Sequence, residues 1–398
     1  MAIFQRGDLL IPRTDLLDRW PVIACDQFTS QPEYWAKTAS LTAQAPSAYH
    51  IIFPEAELGG DEDARIEQIN RTMEQYLAQQ VFRSYPSCYV YVERTLCDGS
   101  VRKGIVGLLD LESYDYRDSA RSPVRATEKT VVSRIPPRVK IRAGASLESS
   151  HVLLLCSDPG NRVFDSIRQG EMLYDLELMQ GGGHLTGWLV NGENADFFDR
   201  ALAEYTALRK DGFCFAVGDG NHSLAAAKTC WEQTKKSIGL DCAVEHPARY
   251  AMVELENLFD PAQRIEPIHR IVRRVDPERL LSFFEQYASP GGSTVRWYAG
   301  EKRGSFCLGR EQLPLAALQQ ALDRYIAQYG GEIDYIHGEE TAISLSAQEN
   351  AVAFLLSGIE KNELFDTIAK GGVLPRKTFS MGHAEEKRYY LECRRIIP

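Results

Sequence analysis

The sequence predicts an α/β protein with mixed sheets. Short apolar runs of strand length alternate with longer amphipathic runs of helical spacing along the chain. One transition is unusually sharp: the strand-like run Phe213–Val217 turns through Gly218–Asn221 into Ser223–Lys228, a run of strong helix formers. Residues 88–111 instead predict a hairpin, so antiparallel strands are expected as well.

The overall composition excludes several classes of protein. The chain has 398 residues, and its 44% hydrophobic and 25% charged content is that of a globular protein of one elaborate domain or two to three smaller ones. A formal net charge of −10 argues against a general binder of nucleic acid or anionic membranes. No apolar run approaches the roughly 20 residues that span a bilayer, and the polar start of the chain is unlike a signal peptide. We therefore expect a cytoplasmic protein.

The nine cysteines are scattered and contain no C-x-x-C pair. This pattern predicts reduced thiols in apolar strands rather than disulfides or a zinc site. Cys25 is the exception, because it lies beside Asp26 at a strand end. A catalytic thiol there is the minority alternative to a small buried hydrophobe.

The first elements place polar residues at the end of a strand. Residues 21–25 are apolar and strand-like, and Asp26 and Gln27 follow directly, where the ligand sites of α/β proteins collect. A plain turn is the alternative. The pattern then predicts a helix over residues 31–43, a strand over 50–53 and an amphipathic helix over 61–80.

A sheet region and a long polar segment come next. The predicted hairpin has strands at 88–94 and 101–111, joined by a turn at Asp98-Gly99. Residues 112–147 are rich in Arg, Pro, Ser and Thr and predict an ordered loop or short helix, a kind of segment that is often functional. Strands at 151–155 and 185–190 and a helix over 195–210 lead to the central turn.

A helix to about residue 235 follows that turn, and strands are predicted at 250–255 and 265–272. His269 and Arg270 stand inside the last of these otherwise apolar strands. A buried cation needs a partner. Either an anion on a ligand or one of the many carboxylates of the chain is expected to supply it.

From about Pro277 the composition becomes that of a separate α/β unit. Helices are predicted at 277–287, 315–329, 347–349 and 362–370, and strands at 294–298, 305–308, 333–336, 351–356 and 388–395. We therefore divide the chain into an N-terminal α/β core, residues 1–275, and a C-terminal α/β domain, residues 276–398, which is expected to close over the site.

The turn at residues 218–223 suits an anion. A strand that turns through glycines into a helix leaves free backbone N–H groups and the positive end of the helix dipole facing one point. Polar side chains crowd this turn: Asp219, Asn221, His222 and Ser223. An ordinary βα turn with Asn221 or Ser223 as helix cap is the alternative.

Six segments in order give the chain a resemblance to a known family. They read PVIACDQF, RKGIVGLLDL, RATEKT, VGDGNHSLAAAK, PIHRIV and LPRKTF, and they resemble the uncharacterised prokaryotic family catalogued as domain of unknown function 1015. That family's central turn typically reads Asp-Gly-His-His-Arg, whereas this chain has Asn221 and Ser223 in place of the first His and the Arg. The family's His-Glu-x-Thr segment is present without its His, as Thr127–Thr130.

The turn is in addition similar to the phosphate-binding loop of the ParB/sulfiredoxin-like superfamily, which includes kinases of free serine. This resemblance implies a ParB/sulfiredoxin-like nucleotide-binding core. It favours an enzyme, a kinase that transfers phosphate from ATP or ADP, with Mg²⁺, to a small hydroxylated metabolite such as free serine. The loss of an Arg at position 223 removes a bidentate phosphate contact. A homodimer is left open.

The predicted roles divide into three groups. Asp219, His222 and Glu128 are the candidate catalytic residues, with Asp219 and Glu128 also the candidate metal ligands. The candidate phosphate and nucleotide contacts are Gly218, Gly220, Asn221, Ser223, His269, Arg270, Arg376 and Lys377. The candidate substrate contacts are Asp26, Gln27 and Thr130.

Two alternatives remain at the level of sequence. The first is a non-catalytic regulatory protein that senses a nucleotide or metabolite through the same turn. The second is a metal-dependent hydrolase built on Asp26, Glu128, Asp219, His222 and His269, which the absence of an H-x-x-x-H or comparable spacing disfavours.

Overall fold

The computed structural model describes residues 2–118, 120–288, 290–308, 314–375 and 377–398, and it confirms the mixed α/β class. The strands found in these ranges are β1 (Phe4–Gln5), β2 (Gly7–Pro12), β3 (Val22–Ile23), β4 (Phe82–Thr95), β5 (Val101–Asp110), β6 (Tyr114–Asp115), β7 (Val124–Ala126), β8 (Leu147–Ser149), β9 (Leu153–Cys156), β10 (Met172–Glu177), β11 (His184–Val190), β12 (Phe215–Asp219), β13 (Tyr250–Asn257), β14 (Ile265–Arg273), β15 (Ser293–Ala299), β16 (Lys302–Leu308), β17 (Glu332–His337), β18 (Ala351–Leu355), β19 (Phe379–Met381), β20 (Tyr389–Tyr390) and β21 (Cys393–Arg395).

The α-helices of the same ranges lie mostly between strands. They are α1 (Pro32–Thr42), α2 (Glu62–Ala78), α3 (Ile135–Ala143), α4 (Arg162–Asp165), α5 (Gly192–Ala207), α6 (Asn221–Ile238), α7 (Leu240–Ala243), α8 (Pro277–Glu285), α9 (Pro314–Tyr329), α10 (Glu339–Ser346) and α11 (Lys361–Gly371). None of the helices so described is both long and apolar enough to cross a lipid bilayer.

The chain forms two compact units that differ from the predicted division at residue 275. The first unit contains Met1–Gln263 together with Gly382–Pro398, and the second contains Arg264–Met381. The predicted boundary falls inside the second unit because β14 pairs there with β17, β18 and β19. The last residues of the chain return to the first unit, which the sequence pattern did not indicate.

The first unit is organised around one large mixed sheet. Ten of its strands run in the order β6-β7-β12-β9-β13-β5-β4-β2-β21-β8. In addition, β1 pairs with β5, β11 pairs with β4, and β10 pairs with β11. At the end of this sheet that carries the central turn, β12 is parallel to β7 and antiparallel to β9. The carboxyl ends of β7 and β12 therefore lie at the same edge.

Apolar packing fixes the helix that follows the central turn. Leu224, Ala227 and Trp231 of α6 are buried in one cluster with residues of β9, β12 and β13. Their spacing of three and four residues is that of one helix face. The first turn of α6 is thereby held against the sheet edge.

The second unit has its own sheet and core. Its strands run in the order β16-β15-β18-β14-β17, with β19 paired to β14. Buried side chains of α8 and α9, among them Leu280, Phe284 and Leu322, pack with Val352 of β18. Ala342 of α10 belongs to a separate cluster with Ile271 of β14.

Three predictions differ from the structure in whole or in part. Residues 48–51 form a 3-10 helix and not a strand, because the Ser47 hydroxyl accepts from the Tyr49 N–H at 3.3 Å and starts a turn. The segment 112–147 contains the predicted short helix as α3, but it also contains β6, β7 and the start of β8. The short helix predicted at 347–349 lies earlier, as α10.

The returning C-terminal segment is held by backbone pairing and by buried ion pairs. Its strand β20 pairs with β3, and β21 pairs with β2 and β8. The Arg388 guanidinium lies 2.6 Å from carboxylate oxygens of both Glu254 and Glu392, and all three side chains are buried. A buried charge network of this kind is costly to break, because each remaining charge loses its partner.

Replacing Arg388 by Met should therefore destabilise the first unit by about 3–5 kcal/mol, the usual cost of leaving buried charges unpaired. Urea unfolding followed by tryptophan fluorescence measures the change. The matched control is Arg71→Met, which removes an exposed ion pair with Glu67 and should cost less than about 1 kcal/mol. Equal effects of the two substitutions would contradict the structural role assigned to Arg388.

Candidate ligand-binding site

The central turn requires glycine at its end. Gly220 has φ of +77° and precedes α6 directly. A Cβ atom there would lie 3.0 Å from both Cα and Cγ2 of Val152, so a side chain is excluded by space as well as by conformation. Glycine has no side chain that could cap the helix, so α6 begins without a side-chain cap, and its positive dipole end favours an anion.

The segment that contains Glu128 lies against this turn. It follows β7, which runs parallel to β12, so the two segments leave the sheet at the same edge. The Thr127 hydroxyl donates to the Val217 carbonyl at 2.8 Å. The Val131 N–H donates to Nε2 of His222 at 3.1 Å. Two segments about 90 residues apart in sequence are thus joined on both sides of Glu128 and Thr130.

The hydrogen bond from Val131 determines what the His222 ring can do. Because Nε2 accepts a hydrogen, it carries no proton, and a neutral ring has its proton on Nδ1. The bond also fixes the orientation of the ring. His222 is therefore positioned as a hydrogen-bond donor through Nδ1.

Two polar side-chain atoms at this edge are buried without a hydrogen-bond partner among the described residues. They are Oγ1 of Thr130, whose residue is only 5% exposed, and Oδ1 of Asn221. An unpaired buried polar atom costs about 1–3 kcal/mol. Such atoms at one edge, beside an uncapped helix, are typical of a site that a ligand completes.

Asp219 is paired with a lysine from the C-terminal segment. Its Oδ2 lies 3.0 Å from Nζ of Lys387, and its Oδ1 accepts from the Gly220 N–H at 2.8 Å. Burial alone would raise the pKa of Asp219, but the charges of Lys387 and His151 and these hydrogen bonds outweigh it and lower the pKa. Asp219 is therefore ionised at neutral pH, and a cation stands beside the helix start.

Three further side chains form a hydrogen-bonded group in the same unit. The Tyr390 hydroxyl lies 2.6 Å from Nδ1 of His151 and 3.1 Å from Sγ of Cys25. Burial, reinforced by Asp26, raises the pKa of the Cys25 thiol to about 11 in spite of the Tyr390 hydrogen bond. The thiol is protonated at neutral pH, so the minority prediction of a catalytic thiolate is not supported.

Asp26 and Gln27 are close to this group. They follow β3, which pairs with β20, the strand that carries Tyr390. The charge of Asp26 contributes to the raised pKa values of both Cys25 and Tyr390. The Gln27 amide donates to Asp26 at 3.0 Å. Their predicted role in binding substrate stays a prediction.

Two candidate residues of the second unit, His269 and Arg270, are buried and have hydrogen-bond partners within that unit. Nδ1 of His269 accepts from the Leu356 N–H at 3.2 Å, and burial lowers the pKa of His269, so the ring is neutral. Arg270 is completely buried, donates to Gln319 at 3.1 Å and to the Ile268 carbonyl at 2.6 Å, and lies 4.6 Å from the Tyr335 ring centre.

These contacts make Arg270 a core residue of the second unit, and its predicted role in phosphate binding gains no support from them. Lys377 is exposed with φ of +57°. Arg376 lies outside the described residues.

Sequence reasoning missed Lys387, Tyr390 and His151. Lys387 and Tyr390 belong to a stretch that shows only strand-like character, and no local pattern connects it with a turn about 170 residues earlier. His151 stands at the start of an apolar strand, which is typical of a structural histidine. The polar Lys387 immediately before a strand was the one available signal.

The predicted metal site is not preassembled. In the ranges that the structure describes, no group of three or more His, Cys, Asp or Glu side chains is arranged to hold a metal ion. Mg²⁺ in nucleotide sites commonly takes only one or two carboxylates, with phosphate oxygens and water as its other ligands. Asp219 and Glu128 are the two carboxylates expected to meet that smaller requirement, and their role as metal ligands stays a prediction.

Comparisons with known proteins give one whole-chain match. The sequence matches the profile "Protein of unknown function (DUF1015)" over residues 9–395. No curated protein sequence matches it. Among solved structures, a free serine kinase with AMP bound is 12% identical with a TM-score of 0.40, over 73% of this chain and 91% of the kinase.

Two other solved structures are similar at the same level. A conserved hypothetical protein from Pyrococcus furiosus is 12% identical with a TM-score of 0.35, over 71% of this chain and 90% of its own. C-terminally truncated SbnI from Staphylococcus aureus is 10% identical with a TM-score of 0.36, over 72% and 85%. Because all three TM-scores lie below 0.5, neither fold nor function is inferred from them.

The lowered pKa of Asp219 predicts a pH-dependent contribution to stability. Its ordinary value is 3.8, so the contribution is complete above pH 5 and is lost as the pH falls through the lower, folded-state pKa. Asp219→Asn should reduce the free energy of unfolding at pH 7, and the difference from the wild type should shrink below pH 4. Urea unfolding between pH 3 and 7 measures it.

The control for this series is Asp118→Asn, which removes an exposed pair with Lys129 at 3.3 Å. Its effect should stay within about 0.5 kcal/mol at every pH. A constant difference between wild type and Asp219→Asn down to pH 3 would show that Asp219 is not stabilised as a carboxylate.

Proposed function

The chain belongs to the DUF1015 family of proteins of unknown function, and we propose that it binds a nucleotide at the central turn and transfers phosphate from ATP or ADP to a small hydroxylated metabolite such as free serine. One observation carries the proposal: an uncapped helix start, a lysine and two orphaned buried polar atoms belong to one sheet edge. The groups are of the types that bind phosphate and hydroxyl groups.

The phosphates would be held by complementary charge. The first N–H groups of α6 and the Lys387 ammonium supply donors and positive charge, and Thr130 Oγ1 is a further donor without a partner. His222 would add its Nδ1 proton. Gly218 and Gly220 let the turn pack closely against Leu155 and Val152, which holds the start of α6 at this edge of the sheet.

The hydroxylated substrate would be held by the hydrogen-bond acceptors of the site. Asn221 Oδ1 lacks a donor, and a substrate hydroxyl can supply one. The ionised Asp219 would orient the attacking hydroxyl. Its lowered pKa makes it a weak base, which is sufficient because phosphoryl transfer needs positioning and charge neutralisation more than proton abstraction.

The reaction balances without any oxidant or reductant. The substrate hydroxyl oxygen forms a bond to the terminal phosphorus of ATP or ADP, and the bond from that phosphorus to the bridging oxygen breaks. The products are the phosphorylated metabolite and ADP or AMP, and the hydroxyl proton is released to solvent once the oxygen is bonded to phosphorus. Mg²⁺, held by Asp219 and Glu128, would neutralise the charge of the phosphate oxygens.

A non-catalytic sensor is the second candidate. It is favoured by one feature of the chain: Ser223 stands where the family pattern has an arginine, so the bidentate contact that would stabilise a transferring phosphoryl group is missing. Binding would then be retained without transfer.

Calorimetric titration with ATP and ADP, with and without Mg²⁺, tests the binding. We expect saturable binding of at least one nucleotide, weakened about tenfold or more by Lys387→Met, because a charge-assisted contact is lost. Lys236→Met, which removes an exposed lysine near the other end of α6, is the matched control and should bind as the wild type. If neither nucleotide binds under either condition, the proposal is wrong.

Turnover separates the two candidates. Wild-type protein with nucleotide and free serine, or other small hydroxyl compounds, should form a phosphorylated product that ³¹P NMR detects. Asp219→Asn should keep nucleotide binding and lose at least tenfold in rate. Nucleotide binding with no product from any hydroxyl compound would favour the sensor.

A further inference from the structure

We propose that a cavity between α3 and α6 in the first unit binds the nucleobase of the nucleotide. This inference rests on the proposed function and extends it, because it assigns the part of the ligand that the phosphate site does not hold. The cavity has a volume of about 150 Å³ and is lined from both helices, from β8 and from residues 51–53.

The size and lining of the cavity suit one planar ring system. Its walls include the apolar side chains of Ile52, Met73, Ile141 and Leu224. An enclosed apolar cavity of about this volume holds a benzene-sized ring, and this cavity is open on one side, so it can take one ring of a purine while the rest of the nucleotide lies towards the opening.

The charges in the lining favour a neutral guest. Arg138 is paired with Glu55, and Arg142 Nη1 lies 2.6 Å from Glu148 Oε1. Burial would raise the pKa of Glu148, but Arg142 and Arg394 outweigh it and lower the pKa, so the carboxylate stays charged. The lining therefore contains ion pairs of one positive and one negative side chain each, so a charged ligand, whether anion or cation, would be repelled by one member of each pair. A nucleobase is uncharged at neutral pH.

One polar atom of the lining residues is unused. Nη2 of Arg142 is buried and has no hydrogen-bond partner in the part of the chain that the structure describes. It is a donor only, so it calls for an acceptor on the guest. Ring nitrogens and carbonyl oxygens of nucleobases are such acceptors.

The polar end of the cavity adjoins the proposed phosphate site. Ser223, in the first turn of α6, lines the cavity, and so does Val152, the residue against which Gly220 packs. His151 and Tyr390 also line it, and the charge of His151 acts on Asp219. A nucleotide whose base occupies the cavity would thus have its phosphates on the side of the helix N-terminus.

Calorimetry with three probes tests this arrangement: adenosine, ADP and inorganic pyrophosphate. The variants are Arg142→Met, which removes the unused donor while Arg394 still pairs with Glu148 at 3.0 Å, and Ile141→Trp, which fills the cavity from a half-buried position. Lys140→Met is the control, because Lys140 is exposed on the same helix and pairs with Asp63 outside the cavity. Thermal unfolding confirms that each variant is folded.

We expect both cavity variants to weaken the binding of adenosine and ADP about tenfold or more and to leave pyrophosphate binding unchanged. The control variant should bind all three probes as the wild type does. If ADP binds the cavity variants as tightly as the wild type, the base lies elsewhere and the inference is wrong, although the proposed function stands. If adenosine binding is lost in the variants but pyrophosphate never binds, the cavity assignment stands and the phosphate site is wrong. If no probe binds the wild type, both are wrong.

Discussion

The return of the C-terminal segment to the first unit is the constraint on which the rest of the structure depends. Strands β20 and β21 complete sheets that begin near the N-terminus, and Arg388 and Arg394 neutralise the buried carboxylates Glu254, Glu392 and Glu148. The same segment supplies Lys387 to Asp219 and Tyr390 to His151 and Cys25. One stretch of chain therefore closes the fold and completes the candidate site, so the stability of the first unit and the geometry of the site are linked.

The electrostatics of the site reconcile an acidic protein with an anionic ligand. The net charge of −10 is a property of the whole chain, whereas a bound phosphate responds to the few groups within several ångströms. At the turn these groups are the positive end of the α6 dipole and Lys387, held in place by Asp219. Lys387 is already paired with Asp219. A ligand must make enough contacts to compete with an ion pair that already exists.

The parts of the site that the sequence predicts are those formed by local or adjacent segments. Gly218 to Ser223 is recognisable because strand, glycine turn and helix follow one another directly. Thr127–Thr130 joins it because β7 and β12 are parallel neighbours, a pairing that the sequence pattern did not indicate. Lys387 and Tyr390 were not predicted, since a contact between segments about 170 residues apart is not encoded in the local pattern of residues 387–395. The predicted phosphate contact at Arg270 stays a prediction: an arginine in an apolar strand is typical of a functional residue, and in the second unit amide, carbonyl and aromatic groups contact its guanidinium.

The backbone amides at the start of α6 give the most direct measurement. In a TROSY spectrum of the full chain, titration with pyrophosphate should shift the amide resonances of Asn221, His222 and Ser223 more than any others, because their N–H groups would donate to the bound anion. The same titration of Lys387→Met should need at least tenfold more pyrophosphate to reach the same shifts. Resonances at 221–223 that stay in place while amides elsewhere move would show that anions bind away from the turn, and the function proposed for this edge of the sheet would be contradicted.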